Sequence, residues 1–195
     1  MKKIVLLTVC LLFVTAAAMS QPGTIGVYAD ITGATCDLTD YPGVDALIYV
    51  IHTYTPGATG SQFKLQWHGG ASMTYLGERV TDPYFGKGTA FTGISIEYGG
   101  CMSSPNPIMT LHFAGNGDSP PCSFLLVLPH PAAVAVQVTD CGAPPNLIVA
   151  GSECLVINND GNCPCNIPGW NICPDIVPVE QSTWGQIKVL YKQLN

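Results

Sequence analysis

The sequence predicts an all-β chain, a two-sheet antiparallel sandwich followed by a short C-terminal α-helix. Three observations predict it. Short runs rich in β-branched and aromatic residues alternate with polar ones, as in Phe63-Lys64-Leu65-Gln66-Trp67, and period-two alternation buries one face of a strand and wets the other. Clusters of Gly, Pro, Asn and Asp cut the chain between those runs, at Tyr41-Pro42-Gly43, Pro56-Gly57, Gly99-Gly100 and Gly115-Asn116-Gly117-Asp118. No helical periodicity precedes residue 180. Roughly nine short strands with this punctuation fit two packed sheets.

In chain order, residues 1–20 read as a secretory signal. Lys2 and Lys3 form the charged start, Ile4 to Val14 the apolar run, and Ala16-Ala17-Ala18 the small-residue cleavage site. That run is shorter than the about 20 residues a membrane span needs, so no membrane insertion is expected after cleavage. Val9 before Cys10 is wrong for a lipid anchor. The sandwich is expected over 21–157. Its strands should lie near Ile25–Ala29, Ala46–Tyr54, Gln62–Trp67, Met73–Leu76, Phe91–Tyr98, Ile108–Phe113, Ser123–Leu128, Ala133–Thr139 and Cys154–Ile157. From 158 to 178 the texture turns to loop chemistry rich in Asn, Pro and Cys, read as a Cys-rich extension and linker. Residues 179–195 carry the helix: Thr183 and Gln186 make a capping-box pattern, and Trp184, Ile187, Leu190, Tyr191 and Leu194 form one apolar stripe.

The charge balance excludes some partners. The formal net charge is −6, and losing Lys2 and Lys3 leaves five basic residues against thirteen acidic ones, a balance of −8. Nucleic-acid binding draws on clustered Lys and Arg, so none is expected, and anionic lipid surfaces are disfavoured for the same reason.

Nine cysteines fall to eight once Cys10 is removed with the signal. An even number in an exported chain reads as a disulfide framework, although eight cysteines allow 105 connectivities. Pro129-His130-Pro131 suggests a hairpin turn whose flanking residues face each other at equal distance from its centre. That register puts Cys122 opposite Cys141, the expected first bridge. Cys36 and Cys101, each beside a strand, are expected to pair. Cys154, Cys163, Cys165 and Cys173 then pair among themselves in an order the sequence leaves open.

Thr183-Trp184-Gly185-Gln186-Ile187-Lys188-Val189-Leu190-Tyr191, with Gly26-Val27-Tyr28-Ala29-Asp30 and Gly99-Gly100-Cys101 upstream, resembles a group of uncharacterised secreted bacterial β-sandwich proteins with a TWGxIKxLY-like tail. In strand number and length the sandwich also looks like immunoglobulin-like, jelly-roll and cohesin-type modules. The second resemblance implies protein or sugar binding, although architecture alone does not license a function.

Catalytic patterns are incomplete. His68-Gly69-Gly70-Ala71 looks like an oxyanion loop, but Gly93-Ile94-Ser95-Ile96-Glu97 lacks the last glycine of a nucleophile elbow and lies in a strand. His52, His68, His112 and His130 show no metal-ligand spacing. Cys154, Cys163, Cys165 and Cys173 lack paired zinc knuckles. Asn158-Asn159-Asp160-Gly161-Asn162 begins like a calcium loop but has Cys163 and Gly169 where glycine and glutamate belong. Asp37, Asp40 and Asp45 read as a solvated acidic loop. Asp30, Glu78, Glu97 and Asp140 supply carboxylates without singling out a pair.

The expectation is therefore a secreted, disulfide-stabilised, non-enzymatic structural or protein-binding module of the cell exterior, with no catalytic residues, metal or cofactor. Its partner is another cell-surface or secreted protein, docked by Trp184, Ile187, Leu190 and Tyr191. The alternative is a polysaccharide-binding module whose loop aromatics Tyr75, Tyr84, Phe85 and Trp170 stack on sugar rings. A secreted hydrolase is the second alternative.

Overall fold

The alternating runs fold as strands. This computed structural model describes residues 23–53, 57–161, 163 and 171–172, and contains no helix among them. The signal segment, Cys165, Cys173, Trp170 and the stripe of Trp184, Ile187, Leu190 and Tyr191 lie outside the described residues.

The strands in chain order are β1 (Thr24–Tyr28), β2 (Asp37–Leu38), β3 (Asp45–Thr53), β4 (Ala58–His68), β5 (Thr74–Val80), β6 (Phe85–Thr89), β7 (Gly93–Met102), β8 (Asn106–Ala114), β9 (Ser123–Leu128), β10 (Gln137–Asp140), β11 (Leu147–Val149), β12 (Gly151–Ile157) and β13 (Asn171–Ile172). One sheet runs β5-β8-β3-β1. The other runs β6-β7-β4-β10-β11. β12 and β9 join them: the start of β12 lies beside β1, its end pairs with β9, and β9 pairs with Lys64–His68 of β4. The pairing is not wholly antiparallel as expected, because β12 runs parallel to β1, β2 and β13.

Inward side chains from both sheets make one core. Ile25, Ile48, Phe63, Leu65, Ile94, Ile96, Ile108, Leu111, Phe113, Leu125 and Leu155 are all essentially inaccessible. Burying each stabilises the fold by about 1.5–3 kcal/mol before chain entropy is counted. Around Phe113, Trp67 packs edge-on at 5.2 Å between ring centroids, Tyr75 tilted at 5.5 Å and Phe91 edge-on at 6.3 Å, an arrangement aromatic quadrupoles favour.

The hairpin expected at Pro129-His130-Pro131 does not form. β9 and β10 both run antiparallel to β4, β9 along Lys64–His68 and β10 along Ala58–Gln62, so they run parallel to each other. The chain leaves β4 at Leu128, makes an excursion over 129–136, and rejoins it at Gln137. The expected strand accordingly shortens from Ala133–Thr139 to Gln137–Asp140, and Val134 is 98% exposed.

This geometry overturns the expected bridge. Cys122 precedes Phe124, which pairs with His68, while Cys141 follows Asp140, which pairs with Ala58. The two lie beyond opposite ends of β4, whose paired span Ala58–His68 is about 34 Å at about 3.4 Å per residue. Cys141 instead bonds Cys101, with Cα atoms 5.5 Å apart, and Cys122 bonds Cys163. The expected Cys36–Cys101 bridge and the closed set of Cys154, Cys163, Cys165 and Cys173 fall with it. Cys36 is disulfide-bonded, though not to Cys101, and Cys154 is buried on β12 against Phe124, Leu126 and Val156. The Cys101–Cys141 bridge crosses over Gly57, at the entry to β4. A Cβ there would stand 2.7 Å from one sulfur and 2.9 Å from the other, and φ is +147°, so the position admits only glycine.

Candidate binding face

The outer face of β3, β8 and β5 gathers exposed apolar side chains. Its key is a bulge in β5: Tyr75 pairs with Phe113, but Gly77, not Leu76, pairs with His112. The extra residue reaims the side chains, and Gly77, at φ +152°, takes the conformation that others resist. Leu76 turns outward and is 51% exposed. Across β8, Leu47 pairs with the same His112 and is 48% exposed. Two hollows of about 440 and 430 Å³ adjoin here, the first reaching from Leu38 and Tyr41 to Tyr49, the second lined by Leu76, Arg79, Thr110 and His112; Leu47 lines both. Exposed Tyr41 and Val44 extend the apolar strip. Polar groups interrupt and border it: His112, between Leu47 and the bulge, sets Nε2 3.2 Å from the Asp45 carboxylate, and Arg79 is paired with Asp82.

The loop bearing Tyr41 and Val44 is held from below. Asp40, in the expected solvated acidic loop, is in fact buried: its carboxylate accepts the N–H groups of Gly117 and Ser119, each at 3.0 Å. Burial opposes the charge, but these hydrogen bonds outweigh it and hold the carboxyl below its ordinary value. Beside this loop, on the β1 side of the first hollow, Ala29 to Cys36 folds over Tyr28 and Ile51. Asp30 closes this turn, accepting the N–H groups of Thr32 at 2.8 Å and Ala34 at 3.1 Å. Beneath it, buried Tyr28 donates to the Glu153 carboxylate.

The chemistry-bearing residues singled out in the sequence do not converge. Ser95 stands mid-strand on β7, pairing with Gln62, whereas His68 ends β4 with its ring 6.4 Å from Phe124. His52 and His112 do lie on adjacent strands, but His52 pairs with Asn106 and His112 with Leu47, half a strand apart. His52 is buried with Nδ1 3.2 Å from the Tyr98 hydroxyl. Asp140 closes a turn by accepting the N–H groups of Gly142 and Asn146, and Glu78 accepts that of Ala90. Cys122, Asp160 and Cys163 cluster at metal-ligand range, but the two sulfurs are bonded to each other and offer no thiolate.

Of the stacking candidates, Tyr75 leans on Phe91 and Phe113 and donates to Glu78 at 2.8 Å. Burial, then Glu78, pushes its phenol up. Tyr84 packs 5.1 Å from Tyr98 and donates to Asn106 at 2.6 Å. Both rings are engaged with the fold. Phe85 is on a strand rather than a loop, and is 80% exposed.

No protein-family model matches the chain, and no curated protein is similar in sequence. In outline it is similar to the sixth cohesin of Acetivibrio cellulolyticus scaffoldin B, solved in complex with a Cel5 dockerin mutant, at 9% identity and TM-score 0.45 over 71% of this chain and 99% of that one. The cohesin module of a Clostridium perfringens family 33 glycoside hydrolase gives 9%, 0.45, 72% and 99% in the same order. CaCohA2 of Clostridium acetobutylicum gives 16%, 0.41, 74% and 95%.

Proposed function

We propose that the chain is a non-enzymatic protein-binding module of the cell exterior, docking through the outer face of β3, β8 and β5. The observation that carries this reading is the strip of Tyr41, Val44, Leu47 and Leu76 along two hollows that adjoin at Leu47. Exposed apolar side chains interleaved with and bordered by polar groups are the usual make-up of a non-obligate docking surface. The exterior setting is supported by the signal-like residues 1–20 and by the disulfides. The stripe of Trp184, Ile187, Leu190 and Tyr191 belongs to the same proposal on sequence grounds, as a second apolar surface for a partner.

The test immobilises the full oxidised chain and the double variant Leu47→Asp/Leu76→Asp, then passes the cell-surface and extracellular fraction of the source over both. A protein retained by the wild-type chain and lost from the variant is the expected result. Equal retention on both, or none on either, sinks the reading.

A further inference from the structure

The outer face of the second sheet carries a separate trough. Hydrogen-bonded register aligns Leu147, Thr139, Gly60, Glu97 and Phe85 in one row across β11, β10, β4, β7 and β6. Two residues along, Val149, Gln137, Gln62, Ser95 and Lys87 form a second row on the same face. The row between them points inward, with Val138, Ser61 and Ile96 buried. Four strand spacings of about 4.8 Å give the rows a length of roughly 19 Å. The middle of the two rows is an open hollow of about 570 Å³ lined by Gly60, Gln62, Ser95, Glu97, Thr139 and Leu147, and Phe85 and Lys87 continue the rows beyond it on β6.

We infer that this trough binds a neutral oligosaccharide chain laid across the strands. Its floor is set by the backbone: Gly60 has no side chain, and a Cβ there would stand 2.8 Å from the Ile96 carbonyl oxygen. Its middle is made of amides and hydroxyls. Gln62 donates to Gln137 across the strands, beside Ser95 and Thr139. Amide and hydroxyl groups both donate and accept, as sugar hydroxyls do. Glu97 and Lys87 cancel in formal charge, so the trough favours neither a polyanion nor a polycation, although the chain as a whole carries −6. Beyond the hollow, next to Glu97 on the same row, Phe85 offers an exposed ring of the kind that stacks on the apolar face of a sugar. At the opposite end, exposed Leu147 and Val149 close the trough. Apolar ends around a polar middle suit a ligand whose ring faces are apolar and whose edges are hydroxylated.

The test runs the oxidised full chain through affinity gels containing xylan, mixed-linkage β-glucan or galactomannan, and over insoluble cellulose and chitin. A hexasaccharide of the retained polymer is then titrated calorimetrically. The expected result is retention by at least one polymer, with the association constant falling at least tenfold in Phe85→Ala and in Gln62→Ala. Phe85 is exposed, so its variant should keep the wild-type unfolding midpoint, and sugar-induced amide shifts should fall on β4, β7 and β10. Leu47→Asp, on the opposite sheet, should bind sugar normally, which separates this outcome from the fate of the docking face. No retention by any polymer, or retention that survives both Phe85→Ala and Gln62→Ala, overturns the inference. So does a shift pattern confined to the edge of β11 away from β10, which would point to strand addition by a peptide instead.

Discussion

The main-chain N–H of Asp40 donates to the side-chain oxygen of Asn158 at 2.8 Å, joining residues 118 positions apart. Asn158 also donates through Nδ2 to the Ser119 carbonyl at 2.6 Å, and Ser119 N–H closes the circuit on the Asp40 carboxylate. Three loops at one end of the sandwich thus share one hydrogen-bonded knot, and the exposed Tyr41 and Val44 stand on it.

Removing the carboxylate leaves the N–H of Gly117 and that of buried Ser119 without this acceptor. Asp40→Ala should cost about 2–4 kcal/mol, given the worth of hydrogen bonds to a charged group. Asn158 has φ +54°, so Asn158→Ala loses its hydrogen bonds and adds backbone strain, while Asn158→Gly loses only the former. Urea unfolding should rank Asn158→Ala below Asn158→Gly by about 1 kcal/mol.

The bridge over Gly57 yields a paired prediction. Cys101→Ser/Cys141→Ser opens a crosslink between residues 40 apart and should cost about 3–4 kcal/mol by chain entropy. Gly57→Ala should destabilise the oxidised protein, because its Cβ meets both sulfurs. In the reduced protein the penalty should shrink, since separated thiols can move aside. Equal penalties in both redox states would show that φ alone sets the cost.

Acid should weaken the fold. Asp30 is held at about 2 against an ordinary 3.8: burial raises it, but the hydroxyl and main-chain hydrogen bonds of Thr32 and Thr35 prevail. Asp40 is also lowered. A carboxylate held low stabilises the fold above its ordinary pKa, and that contribution is lost as pH falls through the folded value. Unfolding temperature should drop as pH falls from 4 toward 2, and Asp40→Asn should flatten the decline.

Glu153 works in the opposite sense. Burial raises its carboxyl, only partly offset by the Tyr28 hydrogen bond. The folded chain therefore favours its protonated form, and stability declines as pH rises from the ordinary value 4.5 through the raised one. Glu153→Gln keeps an acceptor for Tyr28 and removes the charge. It should raise the unfolding temperature at pH 7 and leave it nearly unchanged near pH 4.

Leu76→Asp should change stability by less than about 0.5 kcal/mol, as expected of an exposed site, whereas Phe113→Ala should cost about 3–5 kcal/mol. Both side chains belong to neighbouring strands of one sheet. The contrast, read from denaturant midpoints, checks that the bulge turns Leu76 away from the core.

Much of the strand pattern was legible because alternation is a local signal. Phe63 and Leu65, and Ile94 and Ile96, face the core as their period requires. What lay beyond local signals was partner choice. The residues 129–136 carry good turn chemistry, yet β4 is long enough to pair with a strand on each side of that turn, and this longer ladder prevails over a hairpin. The disulfide expectation failed for that reason alone, since it depended on register. β6 was missed because Phe85-Gly86-Lys87-Gly88-Thr89 has too much glycine to alternate, and with it went the row ending in Phe85. The outward Leu76 is foreshadowed only by Gly77 beside it, since a glycine inside a strand marks a bulge.

The excursion between β9 and β10 departs from β4 and returns to it, so its length is uncoupled from the register on either side. Inserted residues at Val134 need not shift any pairing, and lengthening a flexible loop costs little, about 0.6 kcal/mol per doubling. This is a port in the scaffold: an epitope, a fluorophore or a whole second domain can be spliced there, carried beside the middle of β4 without the ladder registering its presence.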